Sequence, residues 1–268
     1  MKLSSKLVVK PGQKVKLADR DPDFTAGLKR KDAEERVKKN IARLDALQYL
    51  LYAEDKHALL IVLQALDAGG KDGTIRHVMS GVNPQGCRVT SFKVPSDEEA
   101  DHDFLWRIHK AVPRKGEIGI FNRSHYEDVL VVRVHDLVPE SVWARRYDQI
   151  NRFEENLAAS GTAILKFFLH ISKDEQKERF QDRIDDADKH WKVSPADFKE
   201  RKSWDDYMAA YEEALRRCST EHAPWFIIPA NKKWFRNLAV SQIIVETLEG
   251  LHMKFPPPSC DVSKIVLE

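Results

Sequence analysis

The stretch ALLIVLQAL-DAGGKDGT, residues 58–74, carries the decisive signal in this chain. Its first nine residues are almost continuously apolar and too few for a long buried helix. They suit a central strand of a parallel sheet, covered on both faces. The eight that follow run Asp67-Ala68-Gly69-Gly70-Lys71-Asp72-Gly73-Thr74. Glycines at a strand-to-helix turn let backbone N–H groups curl around an anion, assisted by the helix N-terminus. Lys71 then meets the transferring phosphate as a point charge. Two positions depart from the usual phosphate loop: Ala65 replaces a glycine, and Asp72 stands where a hydroxyl residue normally follows the lysine, with Thr74 two further on. A glycine-rich turn that only caps a helix is the competing reading. Asp67 favours the anion site, because a carboxylate beside phosphates needs Mg²⁺ between them; a turn-forming aspartate is the alternative.

Outward from this point, apolar runs recur at 87–92, 117–121, 163–171 and 225–228. Amphipathic helical patterns lie at 32–51, 73–80, 97–111, 139–159, 173–186, 196–217 and 235–253. Strands alternating with helices predict an α/β fold, a three-layer sandwich around a mostly parallel central sheet. Residues 1–30 read as an irregular arm, and the tail near Pro256–Pro258 as linker. With no internal repeat, the expectation is a single domain over 1–268, with an N-terminal arm and helix over 1–56.

The strand 117–121 ends in Asn122-Arg123-Ser124-His125-Tyr126-Glu127-Asp128. Ligands in open α/β sheets sit at the carboxyl ends of strands, so this segment is expected beside the phosphate loop. Arg123 is suited to neutralising phosphate oxygens; Glu127 and Asp128 are candidates to hold metal or orient an acceptor. Ordinary polar strand-end chemistry is the alternative. Further on, Arg179 and Arg183 lie one helical turn apart, and Lys189-His190-Trp191-Lys192 follow in a loop. Paired helices after a late strand are how nucleotide kinases build a lid that excludes water, so 173–206 is read as a lid; a solvated, salt-bridged helix face competes. Asn231-Lys232-Lys233-Trp234-Phe235-Arg236 carries three cations after the last strand, and surface lysines at a helix N-terminus would explain them equally well.

Lys plus Arg number 44 against 42 Asp plus Glu, a formal charge of +2. Such a balance does not announce a polyanion-binding protein, and no nucleic-acid partner is expected, so any basic site must be local. Cys87, Cys218 and Cys260 have no metal-ligand spacing and read as free thiols in a reducing compartment. No window approaches the ~20 apolar residues of a membrane span, and the N-terminus lacks a signal-like apolar core. The expectation is a cytoplasmic protein with no membrane partner.

Taken in order, LDAGGKDGTI (66–75), GVNPQG (81–86), FNRSHYEDVLVVRV (121–134), LKFFLHISKDEQKERF (165–180) and PWFIIPANKKWFRN (224–237) resemble the polyphosphate kinase 2 family. The resemblance implies a thymidylate-kinase-like P-loop kinase fold with a helical lid, dependence on Mg²⁺ with Mn²⁺ as the alternative ion, and a basic channel for inorganic polyphosphate. It places Asp67, Gly70, Lys71 and Asp72 in the phosphate loop, Arg123 at the family's arginine after the second motif, and Arg179 and Arg183 in the lid. The catalytic set expected is therefore Asp67, Lys71, Arg123, Glu127 and Asp128, with Asp67 on the metal. Ala68, Gly69, Gly70, Asp72, Gly73, Thr74 and Asn122 are expected around phosphate and nucleotide. Arg179, Arg183, Lys189, Lys192, Lys232 and Lys233 are expected along polyphosphate. Many members carry aspartate where this chain has Asn122, and the chain resembles the subgroup that phosphorylates both AMP and ADP. Transfer from polyphosphate to these adenine nucleotides, reversibly and within a homo-oligomer (dimer or tetramer), is the expected activity. An ATP-dependent nucleoside monophosphate kinase and a non-catalytic polyphosphate or nucleotide sensor are the alternatives.

Overall fold

The computed structural model describes residues 2–266. Its sheet has six strands: β1 (Val8–Val9), β2 (Ala58–Gln64), β3 (Cys87–Ser91), β4 (Ile118–Asn122), β5 (Thr162–His170) and β6 (Trp225–Pro229). They lie in the order β1-β6-β5-β2-β4-β3. β2 through β6 are mutually parallel, and β1 alone runs antiparallel, against β6. Every residue of β2 is buried, as a strand covered on both faces requires.

Alternation along β2 sends Leu59, Ile61 and Leu63 to one face and Leu60 and Val62 to the other. The first set packs in a core with Phe167, Leu169, Leu44, Leu51, Phe235 and Ile243, from β5 and the helices Arg30–Glu54 and Lys233–Gly250. The second packs with Phe121, Tyr147, Ile150, Phe168 and Tyr211, which brings in the helices Glu140–Ala159 and Trp204–Cys218. Two cores on opposite faces of one sheet give the three-layer α/β architecture expected from the sequence. Leaving β2, the chain builds β3 and β4 to one side and then crosses to β5 on the other. The carboxyl end of β2, between β4 and β5, is thus the topological switch point where such sheets open a crevice.

Three local expectations are corrected. The N-terminal arm is not irregular throughout: Ser4–Leu7 is helical, Val8–Val9 joins the sheet, and Leu3, Val9 and Leu17 are buried. The helix expected over 97–111 is two short ones, Asp97–Ala100 and Trp106–Ala111. Between them Asp103 accepts the Leu105 N–H at 2.9 Å, a local side-chain bond that competes with helix continuation. Likewise 196–217 divides into Pro195–Glu200 and Trp204–Cys218, joined by a 3₁₀ turn over Arg201–Ser203. The three cysteines are free, as read. Among the described residues no helix is long and apolar enough to cross a membrane.

Candidate active site

The phosphate loop leaves β2 at Gln64 and is shaped by backbone geometry that few residues tolerate. Ala68 and Gly70 take left-handed conformations, with φ of 59° and 101°. A side chain at Gly69 would lie 2.5 Å from the Ala65 Cβ and 2.8 Å from the Leu66 carbonyl, so only glycine fits. Gly70 then caps the Lys71–Val78 helix, aiming its first N–H groups into the crevice.

Lys71 folds back across the loop, and its Nζ donates to the Ala65 carbonyl at 2.8 Å. Burial and the nearby Arg123 push the ammonium below its ordinary range, while Asp67, Glu127 and Asp72 draw it back. Asp72 accepts from the Asn122 amide at 2.8 Å, which ties the start of the helix to the end of β4. Thr74 is buried and spends its hydroxyl on the Gly70 carbonyl at 3.0 Å. It braces the helix start and does not face the loop's open side.

Arg123 follows directly on β4 in a left-handed conformation, φ 63°. Its N–H donates to the Leu63 carbonyl at 3.1 Å, and its Nη2 donates to Asp67 Oδ1 at 2.9 Å. The other Asp67 carboxylate oxygen accepts no hydrogen bond among the described residues. Glu127 lies within electrostatic reach of Arg123, Lys71 and Asp67; burial pushes its carboxyl up, and the two cations pull it down. The switch point thus gathers two cations, Lys71 and Arg123, and three carboxylates, Asp67, Asp72 and Glu127, around one anion-ready loop. Gly73 lies in the first helical turn, and the Ala68 carbonyl is engaged from a neighbouring element.

That engagement comes from Arg179, and it revises the sequence reading. Arg179 is buried, neither on the solvated helix face that was the alternative nor extended from a lid over the phosphates. Nη1 donates to the Ala68 carbonyl at 2.9 Å, Nη2 to the Ala230 and Asn231 carbonyls at 2.5 and 3.3 Å, and Nε to Glu175 at 2.7 Å. The side chain clamps the loop to the end of β6, with every nitrogen committed. Gln176 adds a bond to the Asp67 carbonyl at 2.9 Å. Arg183 reaches Asp197 at 3.3 Å and braces the 173–203 segment internally. Lys189 pairs with Asp186 at 2.7 Å, Lys192 lies over the Trp191 ring, and Lys232 pairs with Asp23 at 2.8 Å. Lys233 is exposed beside it.

Asp128 is the second revision. It faces away from Lys71 and forms an ion pair with Arg146 at 2.9 Å; burial raises its carboxyl to about 6. Two features escaped the sequence reading. Lys166, from the middle of β5, is fully buried and donates to Glu154 at 2.5 Å, Cys218 carbonyl at 2.6 Å and Tyr126 at 2.9 Å. Glu154 also meets His125 at 3.1 Å, so the network grips the segment that carries Arg123 and Glu127. Its signal was present: Glu154 falls on the apolar stripe of Tyr147, Ile150, Phe153 and Leu157, where a carboxylate needs a partner. The other is the burial of Arg236, one of the three cations noted after the last strand, in the first turn of the Lys233–Gly250 helix.

Comparison with known proteins bears directly on this geometry. A family model described as polyphosphate kinase 2 (PPK2) matches residues 27–256. The chain belongs to the polyphosphate kinase 2 family. It is 56% identical over 262 residues to an AMP/ADP-polyphosphate phosphotransferase of Meiothermus ruber, covering 97% of this chain and 98% of that one. It is 53% identical over 234 residues to an ADP-polyphosphate phosphotransferase of Rhodopseudomonas palustris, covering 83% and 81%. A crystal structure of polyphosphate kinase 2 from Arthrobacter aurescens TC1 superimposes with a TM-score of 0.92 at 46% identity, over 95% of this chain and 92% of that one. The polyphosphate kinase 2 family match therefore spans both the phosphate loop and the 173–203 segment.

Proposed function

We propose that this protein transfers phosphoryl groups from inorganic polyphosphate to AMP and to ADP, reversibly. The observation that carries the reading is the Asp67–Arg123 pair at 2.9 Å standing beside Lys71 at the strand switch point. Charge stabilisation and positioning do most of the work in phosphoryl transfer, and these residues supply both. The loop N–H groups and Lys71 bind the transferring phosphoryl group; Lys71 exchanges the Ala65 carbonyl for phosphate oxygens. Arg123 offsets charge developing on the equatorial oxygens. Glu127, with its carboxyl pushed up by burial, orients the acceptor. Asp128 acts less directly, holding Arg146 beside the acceptor side.

Asp67 offers one carboxylate with a free oxygen, and no ready cage of three or more His, Cys, Asp or Glu exists among the described residues. That donor set fits Mg²⁺, which takes one or two carboxylates and completes its shell with water and substrate phosphates; Mn²⁺ is the alternative. When bound, the ion supplies neutralisation of phosphate charge beside Asp67. The 173–206 segment serves as a lid, with Lys189, Lys192 and Lys233 on its approaches to polyphosphate, on a single catalytic domain. A cytoplasmic homo-oligomer is the setting that fits such an enzyme.

The AMP/ADP range draws support from the Meiothermus ruber relative and from Asn122, a neutral amide bound to Asp72 at 2.8 Å where an aspartate would add charge near the acceptor. The test is a time course with protein, AMP, polyphosphate and Mg²⁺, and no ATP. ADP should rise first and ATP follow. Inert AMP with reactive ADP would confine the enzyme to the second step, and turnover with ATP alone as donor would make it a nucleoside monophosphate kinase.

A further inference from the structure

Arg236 has an arrangement that folding alone does not account for. Its side chain is only 3% exposed, and among the described residues no carboxylate pairs with it. Its hydrogen bonds are from Nε and Nη2 to one neutral oxygen, Asn237 Oδ1, at 3.1 and 2.8 Å. Nη1 has no acceptor. A buried cation in that state is costly, and burial together with Arg179 pulls the guanidinium down to about 10, which still leaves it charged at neutral pH.

Its placement is informative. Nη1 is pressed against Gly70 so closely that a side chain there would collide with it. Nη2 stands 3.5 Å from where a Gly73 Cβ would lie, and Arg179 Nη1 stands 3.4 Å from the same point at Gly70. Gly70 is thus kept bare on the side facing the guanidinium, and Gly73 lies in ordinary contact with it. The Lys233–Gly250 helix also has no acidic residue in its first turn and carries Lys232, Lys233 and Arg236 there, against the usual preference for negative charge at a helix N-terminus. Arg179 is the weaker candidate, since four of its five N–H groups are committed to the fold, whereas neither N–H of Arg236 Nη1 has an acceptor among the described residues.

We propose that Arg236 is a phosphate-binding residue of this site: its unpaired Nη1, together with the N-terminus of the Lys71–Val78 helix at Gly70, takes an oxyanion of the polyphosphate chain. This rests on the polyphosphate reading above and deepens it. The anion supplies the countercharge that the unliganded protein lacks. Arg236 is therefore a burden on the empty protein and an asset to the filled one, whereas a structural brace would be an asset to both.

Thermal unfolding with sodium tripolyphosphate, without nucleotide, separates these. Wild type should gain stability with tripolyphosphate. Arg236→Met should melt no lower than wild type when empty. It should bind tripolyphosphate about 10- to 100-fold more weakly, the range expected for losing a charge-assisted hydrogen bond. Arg236→Lys, which keeps the charge, should recover part of that loss, and the salt dependence of binding should fall by about one unit of slope in the Met variant. Inorganic phosphate should give a smaller Arg236-dependent shift than tripolyphosphate; equal shifts would overturn the assignment to a chain. An Arg236→Met protein that is unfolded, or that melts several degrees lower and keeps the full tripolyphosphate shift, makes Arg236 a brace and ends the proposal. Polyphosphate-dependent turnover of wild type is scored separately: turnover with an unaltered Arg236→Met response sinks this inference alone, and absence of turnover sinks the functional reading.

Discussion

Replacing Lys166 with methionine keeps much of the side-chain volume in β5 and removes one charge from a fully buried network. Glu154 would then be left at zero exposure with only His125 and Tyr126 as partners. In the native protein Glu154 titrates below its ordinary range: burial opposes this, but Lys166 and His125 outweigh it. Breaking a buried pair by removing one partner costs about 3–5 kcal/mol, because the remaining charge is uncompensated. At an unfolding entropy of roughly 2 cal/mol/K per residue, that is a fall of about 5–10 °C in melting temperature for a chain of this size. The assay is urea or thermal unfolding of wild type, Lys166→Met, Glu154→Gln and the double variant at pH 7 and again near pH 5. The double variant should recover most of the loss, since no lone charge remains, and the cycle should give a coupling well above the ~0.5 kcal/mol seen for independent sites. The single-variant deficit should shrink at the lower pH as Glu154 takes up a proton. A Lys166→Met protein within about 1 kcal/mol of wild type at pH 7 would refute the reasoning. Turnover should fall with stability, because Tyr126 and His125 hold the segment that presents Arg123.

Lys71→Met should lower turnover about 10²–10³-fold with little change in melting temperature; near-normal rates would remove Lys71 from the chemistry. Asp67→Asn should raise the Mg²⁺ concentration needed for half-maximal rate, since an amide is a poorer ligand for a hard cation, and an unchanged titration would move the metal elsewhere. Arg179→Ala should cost stability as well as rate, because it strips the clamp between Ala68 and Ala230; a pure rise in polyphosphate requirement at unchanged stability would return Arg179 to the lid surface. Asp128 titrates at about 6 in the fold against 3.8 as an ordinary carboxyl. The unfolded chain therefore gives up this proton first, and the group's contribution makes stability fall as pH rises from about 4 to 6. Asp128→Asn should flatten that part of the stability–pH curve, and an unaltered slope would show that Arg146 already holds the carboxylate ionised.

The sheet and its switch point were legible because β2 is a run of apolar residues that ends in glycines, and because each strand signal stands between helical ones. The loop was legible for the same reason: Gly69, Gly70 and Lys71 stand where backbone freedom and one cation are both needed. What hid from the sequence is partner choice. Helical spacing put Arg179 and Arg183 on one face, but not what that face meets, so a buried clamp read like one of a pair of lid arginines. Glu127 and Asp128 are adjacent, yet the 3₁₀ turn over His125–Val129 points one toward Lys71 and the other toward Arg146. β1 hid for another reason: two residues are too few to show alternation, and their pairing depends on an edge of β6 formed far along the chain.

That pairing has a consequence for how the protein is made. Val9 lies opposite Trp225, 216 residues further along, the difference of the two positions. At roughly 5–20 residues per second of synthesis, Val8–Val9 waits about 10–40 s after leaving the ribosome before its partner strand exists. During that interval Leu3, Val9 and Leu17, all buried in the finished protein, have nowhere to go. The arm also closes its loop onto the end of β6 through the Pro22 carbonyl, which accepts from the Asn231 N–H at 3.2 Å. The nascent chain therefore carries an unmet apolar segment until Trp225 and Phe226 have been made, and docking of the arm is the step by which it reports that β6 has arrived.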